Sequence, residues 1–327
     1  MKPMLTAALA VAGVVAVFAG VMPAKADTYP SRTVTIIVPY PAGGPTDQTA
    51  REIANFLSKK LGQSFIVENV TGGSTIVATN RLAKATPDGY TLMLHNLQIT
   101  ANVTLFSDLP FNTTKDIVPI MLVNRNPLIL VGRPGLAPNN LKDLIALMKK
   151  QRLREALPGF GTTGHLTSAL FAQEAKVKID FIPYRGAAPA MNDLLGDHVD
   201  LFVGTPTSIV SFVKTGKLKA YGVTAKHGTP LLPKVPSMVD VLGPKFEISY
   251  WQAMFAPAGT PAPVMKKLNA ALQQAVTDPD VVKHWAVQGF TAFPKSQRTQ
   301  AAAEAFMKSE IARWGKVIRD NNIHVNQ

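Results

Sequence analysis

The residues best suited to hold a metal ion or to move a proton are the six histidines, His95, His165, His198, His227, His284 and His324. No two of them stand at a ligand spacing such as H-E-x-x-H, so the sequence predicts no metal site. Asp197-His198-Val199-Asp200 brings acid and base together, but it falls at a helix-to-strand turn, where polar side chains usually face solvent. There is no G-x-S-x-G elbow, and the absence of cysteine excludes a thiol nucleophile and any disulfide. No catalytic residue and no cofactor are expected. What remains is recognition by the backbone. Pro39-Tyr40-Pro41-Ala42-Gly43-Gly44-Pro45-Thr46-Asp47 joins an apolar run to an amphipathic one. A helix starting there leaves its first N–H groups unpaired and carries about half a positive charge. Gly43 and Gly44 have no side chains to block an approach, so the turn suits an oxygen-rich anion such as a carboxylate without needing Arg or Lys. The spacing is neither G-x-G-x-x-G nor a P-loop, which argues against a dinucleotide or nucleoside triphosphate. Asp47 reads as a cap or dipole partner rather than as an acid or base.

The elements that position this turn are legible on both sides of it. Thr33 to Val38 is a β-branched run suited to a strand buried on both faces. Ala50, Ile53, Ala54, Leu57 and Leu61 recur at helical spacing, with Pro45 fitting the first helical position and Gly62 ending the helix. A strand at Phe65–Glu68, a helix running to about Ala85 after Gly72-Gly73, a turn at Pro87-Asp88-Gly89 and a strand at Tyr90–His95 complete a β-α-β-α-β alternation. Strands at 116–123 and 128–131 are separated by the polar break Asn124-Arg125-Asn126-Pro127, the expected first crossing between domains. The pattern then restarts. A helix at 141–150 is followed by the turn Gly159-Phe160-Gly161-Thr162-Thr163-Gly164-His165 and a helix at 166–175. Next come a strand at 179–183, the turn from Tyr184 to Pro189, and a helix to Leu195. A strand at 199–203 leads through Gly204-Thr205-Pro206-Thr207-Ser208 into a helix closed by Gly216. After a strand at 220–224, the aromatic run from Phe246 to Ala256 reads as the return crossing. Two helices, 264–277 and 299–321, finish the chain, the second burying Ala303, Phe306, Met307, Ile311, Trp314, Val317 and Ile318 as core. Ligands of an open parallel sheet bind outside the carboxyl ends of its strands, where these turns lie.

Residues 1–26 read as a secretory signal, with Lys2 before the apolar stretch from Leu5 to Met22 and an A-x-A cleavage site at Ala24-Lys25-Ala26. An exported, soluble and unmodified protein starting at Asp27 suits the bacterial periplasm. Removing Lys2 and Lys25 lowers the formal charge from +13 to +11. The basic residues are scattered without aromatic interleaving, so nucleic acid is not an expected partner.

Tyr29-Pro30-Ser31-Arg32, the strand Val34–Val38 and the turn Pro39–Asp47 resemble the opening of the Bug receptors, the TctC-type substrate-binding proteins of tripartite tricarboxylate transporters. Glu68-Asn69, Pro87 to Leu92, Gly159 to Leu166, Pro183 to Ala187, Leu231-Leu232-Pro233 with Val235-Pro236, and Phe255 to Pro261 continue the resemblance in family order across nearly the whole mature chain. It implies an α/β fold of the type II periplasmic-binding-protein (Venus flytrap) kind. Two lobes, each a mainly parallel sheet flanked by helices, would be divided as 27–124 with 247–327, and 125–246. It also implies a monomer that captures a small mono-, di- or tricarboxylate, aliphatic or aromatic, and delivers it to the transporter's membrane subunits. The implied contacts are Tyr40, Ala42, Gly43, Gly44 and Asp47 from one lobe, and Gly161, Thr162, Thr163, His165, Tyr184, Gly204 and Thr205 from the other. Two departures stand out. Val70-Thr71-Gly72-Gly73-Ser74-Thr75-Ile76-Val77 replaces the family's Gly-Ala-Gly-Gly-Asn-Ile-Gly, and Arg154 and Glu155 occupy a strand where small or apolar residues are usual. Two other outputs fit the same features: docking of the liganded receptor on a sensor kinase, and, more remotely, an exported enzyme acting on a carboxylate.

Overall fold

A computed structural model describes residues 29–323; the expected signal segment and His324 lie outside them. The chain begins with β1 (Val34–Val38), α1 (Pro45–Leu61), β2 (Phe65–Asn69), α2 (Ile76–Ala83), β3 (Thr91–Asn96), α3 (Gln98–Leu105) and β4 (Ile117–Pro127). There follow β5 (Ile129–Gly132), α4 (Leu141–Met148), β6 (Leu153–Leu157), α5 (Thr163–Ala175), β7 (Ile179–Pro183), α6 (Ala187–Leu195), β8 (Leu201–Gly204), α7 (Pro206–Lys214), β9 (Lys219–Val223) and the short α8 (Val239–Leu242). β10 (Ser249–Pro257), α9 (Ala262–Ala275), α10 (Pro279–Gln288), β11 (Thr291–Ala292) and α11 (Gln300–Asp320) complete the chain. No helix among the described residues is long and apolar enough to cross a membrane.

The local chemistry explains most of these elements. Ile36, Ile37 and Val38 are fully buried in β1. α1 starts on Pro45 after an extended Gly44 and ends on a left-handed Gly62 whose N–H donates to Ser58 O at 3.1 Å. α10, which the sequence reading passed over, has equally clear ends. Asp278 accepts from the N–H groups of Asp280 and Val281, Pro279 opens the helix, and Gly289 closes it at φ 78°. Three helices therefore follow β10, not two. α3 was also missed, because Gln98, Thr100 and Asn102 look like surface residues but are buried.

Two sheets result, ordered β11-β4-β10-β3-β1-β2 and β7-β6-β8-β5-β9. The expected mainly parallel sheets are mixed. β1 pairs in parallel with β2 and β3, and β6 with β7 and β8, whereas β10 runs antiparallel to β3 and β4, and β5 antiparallel to β8 and β9. The reason is topological: β4 and β10 adjoin the passages between sheets and pair with each other without a crossover helix. The polar break at 124–127 is no break. Asn124, Arg125, Asn126 and Pro127 pair with Gln252, Trp251, Tyr250 and Ser249, and the chain changes sheet at Leu128. Thr224 ties both passages together: its hydroxyl accepts from Leu128 N at 2.8 Å and donates to Ile248 O at 2.6 Å. α11 straps the first sheet from outside, where the buried Glu310 accepts from the indole N–H groups of Trp251 and Trp314 at 2.8 and 2.9 Å.

Candidate functional site

The turn after β1 is built around Asp47. This buried carboxylate accepts from Gly43 N at 2.8 Å, Arg51 Nε at 2.9 Å and Asn69 Nδ2 at 2.9 Å, and Asn69 also donates to Tyr40 O. Burial opposes its ionisation, but the hydrogen bonds from Arg51, Gly43 and Asn69 outweigh that and lower its pKa. Asp47 therefore organises the turn, and the Gly43 amide is already bonded to it. Gly43 needs its glycine, at φ 82°, whereas Gly44 is extended at φ −75°. The first bond of α1 runs from Gln48 N to Gly44 O, so the amides of Gly44, Thr46 and Asp47 lie outside the helical ladder. Ala42 is exposed beside them. The Tyr40 hydroxyl donates to Asn96 Oδ1 at 2.7 Å, with Gln98 Oε1 at 3.1 Å, and burial raises its pKa.

The turn after β6 repeats the scheme with different residues. Thr162 caps α5: its hydroxyl accepts from His165 N at 3.4 Å and donates to Gly159 O at 2.9 Å, so it is committed to its own turn. Gly161 N donates to His165 Nδ1 at 3.1 Å. His165 is buried, edge-on to Phe160 and Phe181, and burial pushes its pKa down to about 4, leaving a neutral ring that shapes the turn. The helical ladder starts with Leu166 N to Thr162 O, leaving the amides of Thr163 and Gly164 outside it. The Thr163 hydroxyl is buried without a partner. Glu155, the unusual acidic residue of β6, lies beneath: it is fully buried, accepts a short hydrogen bond from the Ser168 hydroxyl, and burial raises its pKa to about 8. Arg154 points outward.

The structure brings these two turns together through a residue the sequence reading missed. Gln98, in the first turn of α3, takes Tyr40 OH on one side and donates from Nε2 to Phe160 O at 3.3 Å on the other. A Cβ on Gly161 would lie 2.5 Å from Leu105 Cδ1, so the absence of a side chain there sets how closely the lobes approach. The signal in the sequence was Asn96-Leu97-Gln98, polar residues just past the carboxyl end of a strand. Gly204 and Thr205 open α7, whose Pro206 would stand 3.0 Å from a Cβ on Gly289, so this turn also meets the first lobe. Tyr184 does not join them: its hydroxyl donates to Asp193 at 2.5 Å within its own lobe, and burial and that neighbour push its pKa up to about 12. Asp200, expected to face solvent, is buried and accepts from Arg133 Nε and Arg154 N at 2.9 Å each.

No group of three or more metal-ligating side chains occurs among the described residues. A separate groove of about 830 Å³ lies behind β10, between α5 and α11. Its charges are largely self-paired, Lys245 with Glu174 at 2.8 Å and Lys316 with Asp320 at 2.7 Å. Apart from the paired Asp47 and Arg51, the junction of the turns is built of amides and hydroxyls, an arrangement suited to holding an anion by dipoles.

Comparison with known proteins identifies the family. The profile of the family described as tripartite tricarboxylate transporter family receptor matches residues 49–323. Protein BugT of Bordetella pertussis is 35% identical over 324 residues, covering 97% of this chain and 98% of its own. The structure of MatC from Rhodopseudomonas palustris with bound malate superposes with a TM-score of 0.81 at 33% identity, covering 89% of this chain and all of that one (100%). The R. palustris protein Rpa4515 with adipate gives 0.83 at 29% identity, covering 90% and 99%. The family so described is one of receptors, not of enzymes. By sequence profile, by close relatives and by fold, this chain belongs to the TctC family of tripartite tricarboxylate transporter receptors, the Bug proteins.

Proposed function

We propose that this receptor captures a small organic carboxylate between its lobes and delivers it to the membrane subunits of a tripartite tricarboxylate transporter. The observation that carries the reading is the meeting of two glycine-rich helix starts, α1 and α5, across Gln98, where the Arg51 guanidinium of the first turn is already paired with the buried Asp47. Tyr40, Ala42, Gly43, Gly44 and Asp47 shape the first half of the site, and Gly161, Thr162, Thr163, His165, Gly204 and Thr205 the second. Tyr184, whose hydroxyl is bonded to Asp193 within its own lobe, stands outside this set. The malate held by MatC and the adipate held by Rpa4515, both dicarboxylates, support a small organic carboxylate as the ligand. On this reading the lobe boundaries move from 124/125 and 246/247 to the changes of sheet at Leu128 and just before Ser249, and the protein acts as a periplasmic monomer after cleavage behind Ala26.

Thermal melts of the chain from Asp27 against aliphatic and aromatic mono-, di- and tricarboxylates test the proposal. A carboxylate at a hundred times its dissociation constant should add about 2.7 kcal/mol. A panel in which no carboxylate raises Tm, while a nucleotide or a neutral sugar does, would overturn it.

A further inference from the structure

The turn between β2 and α2 carries four successive residues of positive φ: Gly72 at 126°, Gly73 at 51°, Ser74 at 49° and Thr75 at 76°. Glycine adopts such angles freely, whereas a β-branched threonine does so only under constraint. Thr75 is 4% exposed, and its hydroxyl is held from two sides. Asn96 N donates to His95 Nδ1 at 2.7 Å, which leaves the ring proton on Nε2, 3.1 Å from Thr75 Oγ1. Burial pushes the His95 pKa down to about 3, in keeping with a neutral ring of fixed tautomer. Asn102 Nδ2 donates to Ser74 O at 2.8 Å and to Thr75 Oγ1 at 3.2 Å. With two donors on its oxygen, the Thr75 hydroxyl has its own hydrogen left to give. Asn102 is the complement. It is 2% exposed, both its N–H groups are used, and its Oδ1 is buried without a partner. That oxygen lies 3.9 Å from where a Cβ on Gly161 would stand, so it faces the second-lobe turn across the junction.

We propose that the Thr75 hydroxyl and Asn102 Oδ1 form a donor–acceptor pair that reads a hydroxyl group on the bound carboxylate, making hydroxycarboxylates the substrate class. This rests on the junction being the carboxylate site. A second carboxylate only accepts, and would set its charge against Asn102 Oδ1. An ammonium only donates and would leave the Thr75 hydrogen unused, and a methylene would leave both groups unpaired. A hydroxyl donates to one and accepts from the other.

Calorimetry with matched pairs that differ by one hydroxyl tests this: propionate and lactate, succinate and malate, phenylacetate and mandelate, each chiral acid as both enantiomers. In the unaltered protein the hydroxylated member of at least one pair should bind roughly tenfold tighter. Thr75→Val keeps the branching but removes the donor, and should bring that ratio to near one, with Thr75→Ser restoring it. Thr75→Gly relieves the positive φ, which offsets part of the cost of the two buried donors it orphans, and should likewise lose the preference. A purely structural role would weaken both members of a pair equally and leave the ratio intact. Equal affinities within every pair, or a ratio that survives Thr75→Val and Thr75→Gly, overturn the inference while leaving the carboxylate reading standing. If no member of any pair binds, the carboxylate reading fails and this inference with it.

Discussion

Gly43 and Gly44 are adjacent and chemically identical, yet the fold asks different things of them. Gly43 sits in the left-handed region with open space where a Cβ would go, so Gly43→Ala should cost only the backbone penalty, about 1–2 kcal/mol in a denaturant melt. Gly44 is extended, and its Cβ would meet Pro41 O at 3.5 Å, an ordinary contact. Gly44→Ala should leave stability within about 0.5 kcal/mol. If binding to the turn is by bare amides, Gly44→Val should still weaken the ligand by crowding the anion, which calorimetry on a folded variant can show. Glu155 makes a pH prediction. An unfolded glutamate titrates near about 4.3, and the buried one near about 8. Across that window the folded state keeps a proton that the unfolded chain has released, so stability falls as pH rises and the loss is complete above it. Glu155→Gln cannot ionise, so its melting temperature relative to the parent should rise between pH 5 and pH 8. A constant difference across that range would mean that Glu155 is ionised in the folded protein.

At the scale of elements, the passages between the sheets hang on Thr224. Its side chain pairs with Leu128 N and Ile248 O, one atom from each passage, and it is fully buried. Thr224→Val keeps the shape and leaves a buried donor and acceptor orphaned, so it should cost about 1–3 kcal/mol in urea melts, whereas Thr224→Ser should recover most of it. A neutral Thr224→Val would show that the passages are held by the sheets alone. Nothing in the string marks this residue: Ala220 to Thr224 reads as the end of a strand, and the partners are 96 and 24 residues away. α3 was illegible for a related reason. Its polar residues are buried because they serve neighbouring turns, so the apolar periodicity that announces a surface helix is absent. α10 was overlooked although its Asp278-Pro279 start and Gly289 end obey ordinary helix-end chemistry.

For the whole molecule, the two turns of the site lie more than a hundred residues apart in sequence and belong to different sheets, so ligand capture should bring the lobes together. Small-angle scattering should show a smaller radius of gyration with a saturating carboxylate than without it, and unchanged scattering would oppose hinge closure. The sequence by itself determined the α/β class, the positions of the glycine turns at strand ends, and the resemblance carried by Pro39–Asp47 and Gly159–Leu166, because these follow from local rules: β-branched runs, helical spacing, and glycine or proline where a helix must start or stop. Only the tertiary structure decided that Asp47 and Thr162 are spent on their own turns, that the sheets are mixed, and that Gln98, Thr75 and Asn102 reach the junction. A hydrogen bond depends on where two groups end up in space, and whether a polar residue faces solvent, a neighbouring turn or the opposite lobe is settled only when both sheets have packed.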